Sequence, residues 1–185
     1  MRPEDIQEIR RMLKISNERH EIEKTMRKED LVEFLKSVYY DASKEVVDLS
    51  ELDFGECSVD ISNMKVKGDL FQDWQDVEGD LLQNGQSVEG NLNQDCQRVE
   101  GELHQDYQTV KGDLHQDCQR VEENLYQHHQ SVESDLFQDR QKVKGDLHQD
   151  YQTVKGDLVQ NRQKVGGKFF QDRQETDKNI KKNKR

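Results

Sequence analysis

Residues that could do chemistry recur in this chain at a fixed interval. His104, His115 and His148 are separated by eleven or a multiple of eleven residues, and His128 and His129 stand side by side. Carboxylates keep the same rhythm, in one series through Asp69, Asp80, Glu102 and Asp113 and another through Asp73, Asp95, Asp106 and Asp117. Rows of histidine suit metal ligation, and paired carboxylates suit acid–base work. Neither use is expected here. An acid–base pair needs two differently tuned environments, and a repeat gives each copy the same one. The three histidines share their repeat position with Phe71, Leu82, Tyr126, Phe137 and Phe170, which marks an outward place with mixed tenants. A metal ladder is the alternative reading of that column. His128 and His129 replace a turn aspartate and its neighbour, and read as a local irregularity. No nucleophile–base pairing, phosphate-binding glycine loop or metal-ligand spacing occurs. No enzyme, cofactor or metal is therefore expected. Cys57, Cys96 and Cys118 are odd in number and read as free thiols in a reduced, cytoplasmic setting.

The element that must position these residues is the repeat itself. Ten copies of V-x-G-D-L-x-Q-D-x-Q-x fill residues 66–175. Valine opens every copy from Val66 to Val165, and position five is leucine from Leu70 to Leu158, then Phe169. Both glutamines occur in all ten copies. Two folds accept this period. A right-handed coiled coil fits eleven residues over three turns, but glycine at position three in eight copies would cost roughly 1 kcal/mol each in a helix. A parallel β-solenoid explains the same residues. Val, Gly, Leu and the first Gln have one parity, so a strand V-x-G-x-L-x-Q sends them all inward, and stacked copies form valine, leucine and glutamine ladders. Asp at position eight and the second Gln are expected in the turn. Position eleven alternates between Arg98, Arg120, Lys142, Lys164 and Ser87, Thr109, Ser131, Thr153. The true unit is then 22 residues, two sides per coil, with five coils about 24 Å long.

The flanks read differently. Residues 1–46 carry helical periods through Ile6, Ile9 and Leu13, from Asn17 to Arg27, and from Asp30 through Leu31, Leu35 and Val38. They are expected to cap the solenoid or to make an oligomer contact, such as a homodimer. Residues 47–65 form a lead-in and 176–185 a basic tail. Hydrophobic residues at 31% and charged residues at 36% would mean disorder in a non-repetitive chain. Stacked copies avoid it, because they bury a narrow core through regular hydrogen bonding. Nothing spans a membrane, and the N-terminus shows no signal-peptide core.

The lead-in carries a resemblance. V-D-L-S-E and L-D-F-G-E, with Leu49 and Phe54 at the central apolar place, and V-D-I-S-N, with Ile61, resemble pentapeptide-repeat units. The array after them is similar to repeat proteins of Gram-positive bacteria and their temperate phages. It departs from the five-residue period. The resemblance implies a solenoid, and some pentapeptide-repeat proteins resemble a DNA duplex in shape and charge and bind topoisomerases. Residues 66–120 hold twelve acids and four bases, and residues 121–175 hold ten acids and eight bases. The expectation is a non-enzymatic interaction protein, a DNA-mimic-like inhibitor that offers an acidic surface to a nucleic-acid-binding or host-defence protein. The candidate contacts are Asp69, Asp73, Asp76, Asp80, Asp95, Glu102, Asp106, Asp113 and Asp117, with Phe71, Trp74 and Tyr107 as anchors. A net charge of −11 disfavours direct binding to nucleic acid. The alternatives are a self-associating rod or spacer and, less favoured, a coiled-coil oligomer.

Overall fold

A computed structural model of the chain describes residues 47–50, 54, 58–178 and 180–181. The expected helices of residues 1–46 lie outside the described residues, as does Cys57. Everything described is a parallel β-solenoid with no helix. Its strands are two residues long and stack into four parallel sheets of seven, six, six and five strands. Leu70–Phe71 pairs with Leu92–Asn93 and so on to Leu158–Val159. Leu81–Leu82, Asp76–Val77 and Lys65–Val66 belong to the other three sheets. Partners in the array are 22 residues apart, as Leu103 with Leu125 and Val110 with Val132. The lead-in and part of the tail belong to the same stack, since Val59 pairs with Leu81 and Ile180 with Leu158.

The 22-residue coil is as expected, but its shape is not. Each copy supplies two sides instead of one, so a coil has four. The strand V-x-G-x-L-x-Q does not form, because the chain bends at positions two and three and turns a corner between valine and leucine. A second corner, at positions eight and nine, lies between leucine and the next valine. Parity along one continuous strand therefore never applies. Each side takes its name from its first array residue. The chain runs from the Val66 face to the Leu70, Val77 and Leu81 faces and back, which sets the Leu70 and Leu81 faces opposite each other.

Two valines, two leucines and four glutamines of each coil point inward. Leucines 70 to 158 are fully buried. The second glutamine does not sit in the turn, contrary to expectation, and is buried as completely as the first. Gln75, Gln86, Gln97, Gln108 and Gln119 have no exposed surface at all. A buried amide must be paired, and here the partners are other glutamines. Gln116 Nε2 lies 3.1 Å from Gln94 Oε1 one coil back, 3.2 Å from Gln105 Oε1 across the core and 3.1 Å from Gln108 Oε1. Gln119 Nε2 donates to the Gln94 carbonyl at 3.1 Å and to Gln97 Oε1 at 3.2 Å. The centre of the rod is a polar lattice framed by aliphatic ladders.

The corners are held by side chains that accept from the next coil. Asp69 Oδ1 takes the Asn91 amide at 2.7 Å, and Asp73 Oδ1 takes the Asp95 amide at 2.8 Å. Ser50 and Ser62 of the lead-in do this for Asp73 and Asn84. Glycine at position three permits the close stacking there. A Cβ on Gly112 would lie 2.6 Å from the Gly90 carbonyl oxygen. Copies six and seven place Glu123 and Ser134 at that point, so the requirement is not absolute.

The lattice predicts a steep penalty for a single apolar replacement. Gln116→Met keeps the volume but takes one acceptor from the Nε2 groups of Gln130 and Gln138 and one donor from three oxygens. It should destabilise the rod by about 3 kcal/mol, as expected when several buried groups lose a partner. Urea unfolding followed by circular dichroism measures this, and a loss below about 1 kcal/mol would mean that the lattice contributes little.

Candidate interaction surface

Each face carries one outward column of residues, edged by the corner columns. On the Leu70 face the central column is Phe71, Asn93, His115, Phe137 and Val159. One edge is Asp69, Asn91, Asp113, Asp135, Asp157, and the other is Asp73, Asp95, Asp117, Asp139, Asn161. Those two edges hold eight carboxylates and no base. The opposite, Leu81 face has the column Leu82, His104, Tyr126, His148, Phe170. Its rings stack: His104 on Tyr126 at 4.6 Å, Tyr126 on His148 at 4.9 Å and His148 on Phe170 at 4.5 Å. Its edges hold six carboxylates, Asp80, Glu102, Asp146, Asp106, Asp150 and Asp172, mixed with Asn84, Asn124, His128 and Lys168. The Val77 face is basic below its first member, with Asp76 followed by Arg98, Arg120, Lys142 and Lys164. The Val66 face presents Ser87, Thr109, Ser131 and Thr153.

The candidate contacts therefore divide. Asp69, Asp113, Asp73, Asp95, Asp117, Phe71 and Trp74 gather on or beside the Leu70 face. Asp80, Glu102, Asp106 and Tyr107 border the opposite one. Asp76 lies on the basic face, 3.4 Å from Arg98 in an ion pair. Trp74 and Tyr107 are 64% and 63% exposed, at diagonally opposed corners. Both occupy position nine, where the backbone is left-handed in every copy, with φ of 58° and 57° at these two residues. Only copy two has glycine there, Gly85.

The acids are partly buried, and their environments differ. Burial pushes the Asp95 carboxyl up to about 6, and the like charges of Asp117 and Asp73 add to this against the Asp117 amide that it accepts. Asp117 is raised for the same reason, burial first. Burial would raise Asp113 too, but hydrogen bonds from the Ser134 hydroxyl and the Asp135 amide outweigh it and hold that carboxyl low. Glu102 is lowered chiefly by the Asn124 side-chain amide. Asn124 Nδ2 donates to Glu102 at 2.9 Å, and His104 Nε2 lies 3.1 Å from the other carboxylate oxygen.

Sequence reasoning missed the second task of these acids. One oxygen of Asp69, Asp73, Asp80, Asp95, Asp106, Asp113 and Asp117 holds a backbone amide of the next coil. A signal for this was present. Asn84, Asn91, Asn124 and Asn161 are the commonest substitutes at these positions, and asparagine keeps the acceptor while losing the charge. Cys96 and Cys118 are free thiols, neighbours in one column, as expected. Among the described residues no helix is long and apolar enough to cross a membrane. Three ligand-type side chains do converge, at His128, His148 and Asp150.

The fold and surface define the chain as a repeat protein of the parallel β-solenoid class, consistent with a pentapeptide-repeat-like architecture. Compared with known protein families, curated proteins and solved structures, the chain matches none of them.

A pH dependence follows from Asp95. A carboxyl raised in the fold from 3.8 to about 6 binds its proton more tightly there than in the unfolded chain. Its effect is most favourable at low pH, and stability is lost as pH climbs through about 6. Asp95→Asn removes that loss and keeps the acceptor for the Asp117 amide. Melting midpoints at pH 5 and pH 8 should fall with pH in the wild type and fall distinctly less in Asp95→Asn. Parallel curves would remove Asp95 from the account.

Proposed function

We propose that the rod is a non-enzymatic protein-interaction module and that its Leu70 face is the surface it presents. The observation that supports this is the pair of carboxylate rows at the edges of that face. Four residues separate the rows along the coil, so they stand at most about 13 Å apart, the scale of a duplex major groove at about 12 Å. Eight carboxylates over about 24 Å give one charge per about 3 Å, against about one per 1.7 Å in duplex DNA. The rod is thus a diluted likeness of a duplex edge. Such a surface suits the basic site of a nucleic-acid-binding protein, which its carboxylates would occupy in place of phosphates. Trp74, beside Asp73 at the acidic end, supplies a large exposed ring of the kind that dominates binding energy. The resemblance to pentapeptide-repeat proteins of bacteria and their phages favours a partner in DNA topology or host defence, held in the cytoplasm and inhibited by occupation.

The test uses charge without disturbing the fold. A variant with Asp69, Asp73, Asp95, Asp113 and Asp117 changed to Asn retains each corner hydrogen bond. Wild-type chain should displace a labelled DNA duplex from a bacterial type II topoisomerase, with an affinity that falls steeply with salt. The five-site variant should be at least about tenfold weaker, as expected when several charged contacts are lost together. Equal displacement by the variant, or none by the wild type, would sink the proposal.

A second reading, the self-associating rod, has one observation behind it. Phe169 and Phe170 in the last array coil are 45% and 39% exposed, whereas leucines hold the Phe169 position fully buried below. Size-exclusion chromatography over a range of concentrations decides between them, because growing polymers belong to the rod and a constant size to the binder.

A further inference from the structure

We propose that His128, His148 and Asp150 form a binding site for one first-row divalent metal ion of the zinc type, a staple between neighbouring coils. One ligand atom from each lies within 4.8 Å of the others. Two imidazoles and a carboxylate are a donor set that zinc accepts, with an open position left for water. His128 Nδ1 is already 3.6 Å from Asp150 Oδ2. A tetrahedral ion with bonds of about 2.0–2.1 Å needs its ligands about 3.4 Å apart, so the third closes by up to about 1.4 Å of side-chain torsion.

The repeat itself singles this site out. Position eight is aspartate or asparagine in nine copies and histidine only in copy six. Its duty there is to accept the amide of the next coil, which Asp106 and Asp150 do at 2.7 Å. His128 does it less well, with Nδ1 accepting the Asp150 amide at 3.3 Å. The substitution weakens the corner. The Nδ1 lone pair that accepts that N–H is the one a cation would take, so binding replaces a long hydrogen bond by a coordinate bond beside Asp150 Oδ2. Asp150 Oδ1 is committed to the Asp172 amide, which leaves Oδ2 on the side of His128.

His148 is positioned. It is sandwiched between Tyr126 and Phe170, with the His128 ring edge-on at 5.4 Å. Asp146, Asp150 and Asp106 stand near it as negative charges. Those same acids surround the site with the charge a cation seeks.

The test has variants that the fold already tolerates. His128→Asn installs the residue found at Asn84 and Asn161 of the same repeat position, and His148→Phe installs the residue found at Phe170 of the same column. Isothermal titration of zinc sulfate into the full chain counts the ions bound. The wild type should bind one zinc more than either variant. Zinc should also raise the melting midpoint of the wild type and leave that of His128→Asn unmoved. No binding by the wild type, or an ion count equal in all three proteins, overturns the proposal. A count that drops in His148→Phe alone also overturns it, because the site would not include His128.

Discussion

The constraint on which the solenoid depends is that a buried amide must be paired. Each coil carries four glutamines into a core that excludes water, and unpaired each would cost on the order of a few kcal/mol. No single coil can satisfy them. Gln116 needs Gln94 from the coil before, Gln105 from the opposite wall and Gln108 beside it, and it accepts in turn from Gln138. Pairing is therefore a property of the stack, and a slip of one residue would break every bond at once. Valine and leucine columns tolerate other apolar side chains, as Val59, buried in the Leu81 column, illustrates. The glutamine positions hold nothing else in ten copies. Hydrophobic burial drives the coil to close, and the amide lattice fixes its register.

The lattice also has a direction. Gln94 donates to Gln72, Gln105 to Gln83 and Gln127 to Gln119, always from the later residue to the earlier. Side-chain caps follow suit, because Asp69 accepts from Asn91 and Asp117 from Asp139. Backbone bonds between coils run both ways, as in Gln72 to Asn93 and Glu89 to Val66, and cancel. The glutamine amides do not cancel. Their N–H groups point to the start of the rod and their oxygens to its end, giving an axial dipole of the same sense as a helix. The charges complement it. Acids exceed bases by eight over residues 66–120 and by two over 121–175. Part of the acidity of the first half is thus explained by axial polarity before any partner is invoked.

The sequence disclosed the solenoid, the 22-residue coil and the first glutamine ladder, because each rests on periodicity alone. Cross-section was hidden, since strand parity presumes a continuous strand and the chain bends after every second strand residue. Once Val and Leu lie on separate sides, the second glutamine turns inward, so Gln75 and Gln97 were misplaced by one error of geometry and not by their chemistry. The candidate acids were legible as a set but not as a surface. Asp69 and Asp80 are equivalent in the repeat and yet face opposite directions, because odd and even copies occupy opposite halves of the coil. Asp76 could not be separated from them without knowing that it shares a face with Arg98.

What the fold leaves free identifies where specificity resides. Positions one, five, seven and ten are consumed by the core, and four and eight by the corners. Positions two, six, nine and eleven vary and supply the outward columns, with position two forming ion pairs between coils such as Lys111 with Glu89. Position nine is the most telling, because nine of its ten residues adopt a left-handed backbone without being glycine. The conformation costs about 1–2 kcal/mol for each such residue, which over nine copies approaches the net stability of a whole domain. Glycine would remove that cost at every copy, and Gly85 shows that it fits. Ring stacking offsets part of it where Tyr107, His129 and Tyr151 lie 4.8 Å and 4.7 Å apart and Arg173 covers Tyr151. Among the described residues no such stack relieves Trp74, whose column continues with Cys96, Cys118 and Arg140. Trp74 thus keeps the cost of its backbone state at the acidic end of the Leu70 face, with its ring 64% exposed.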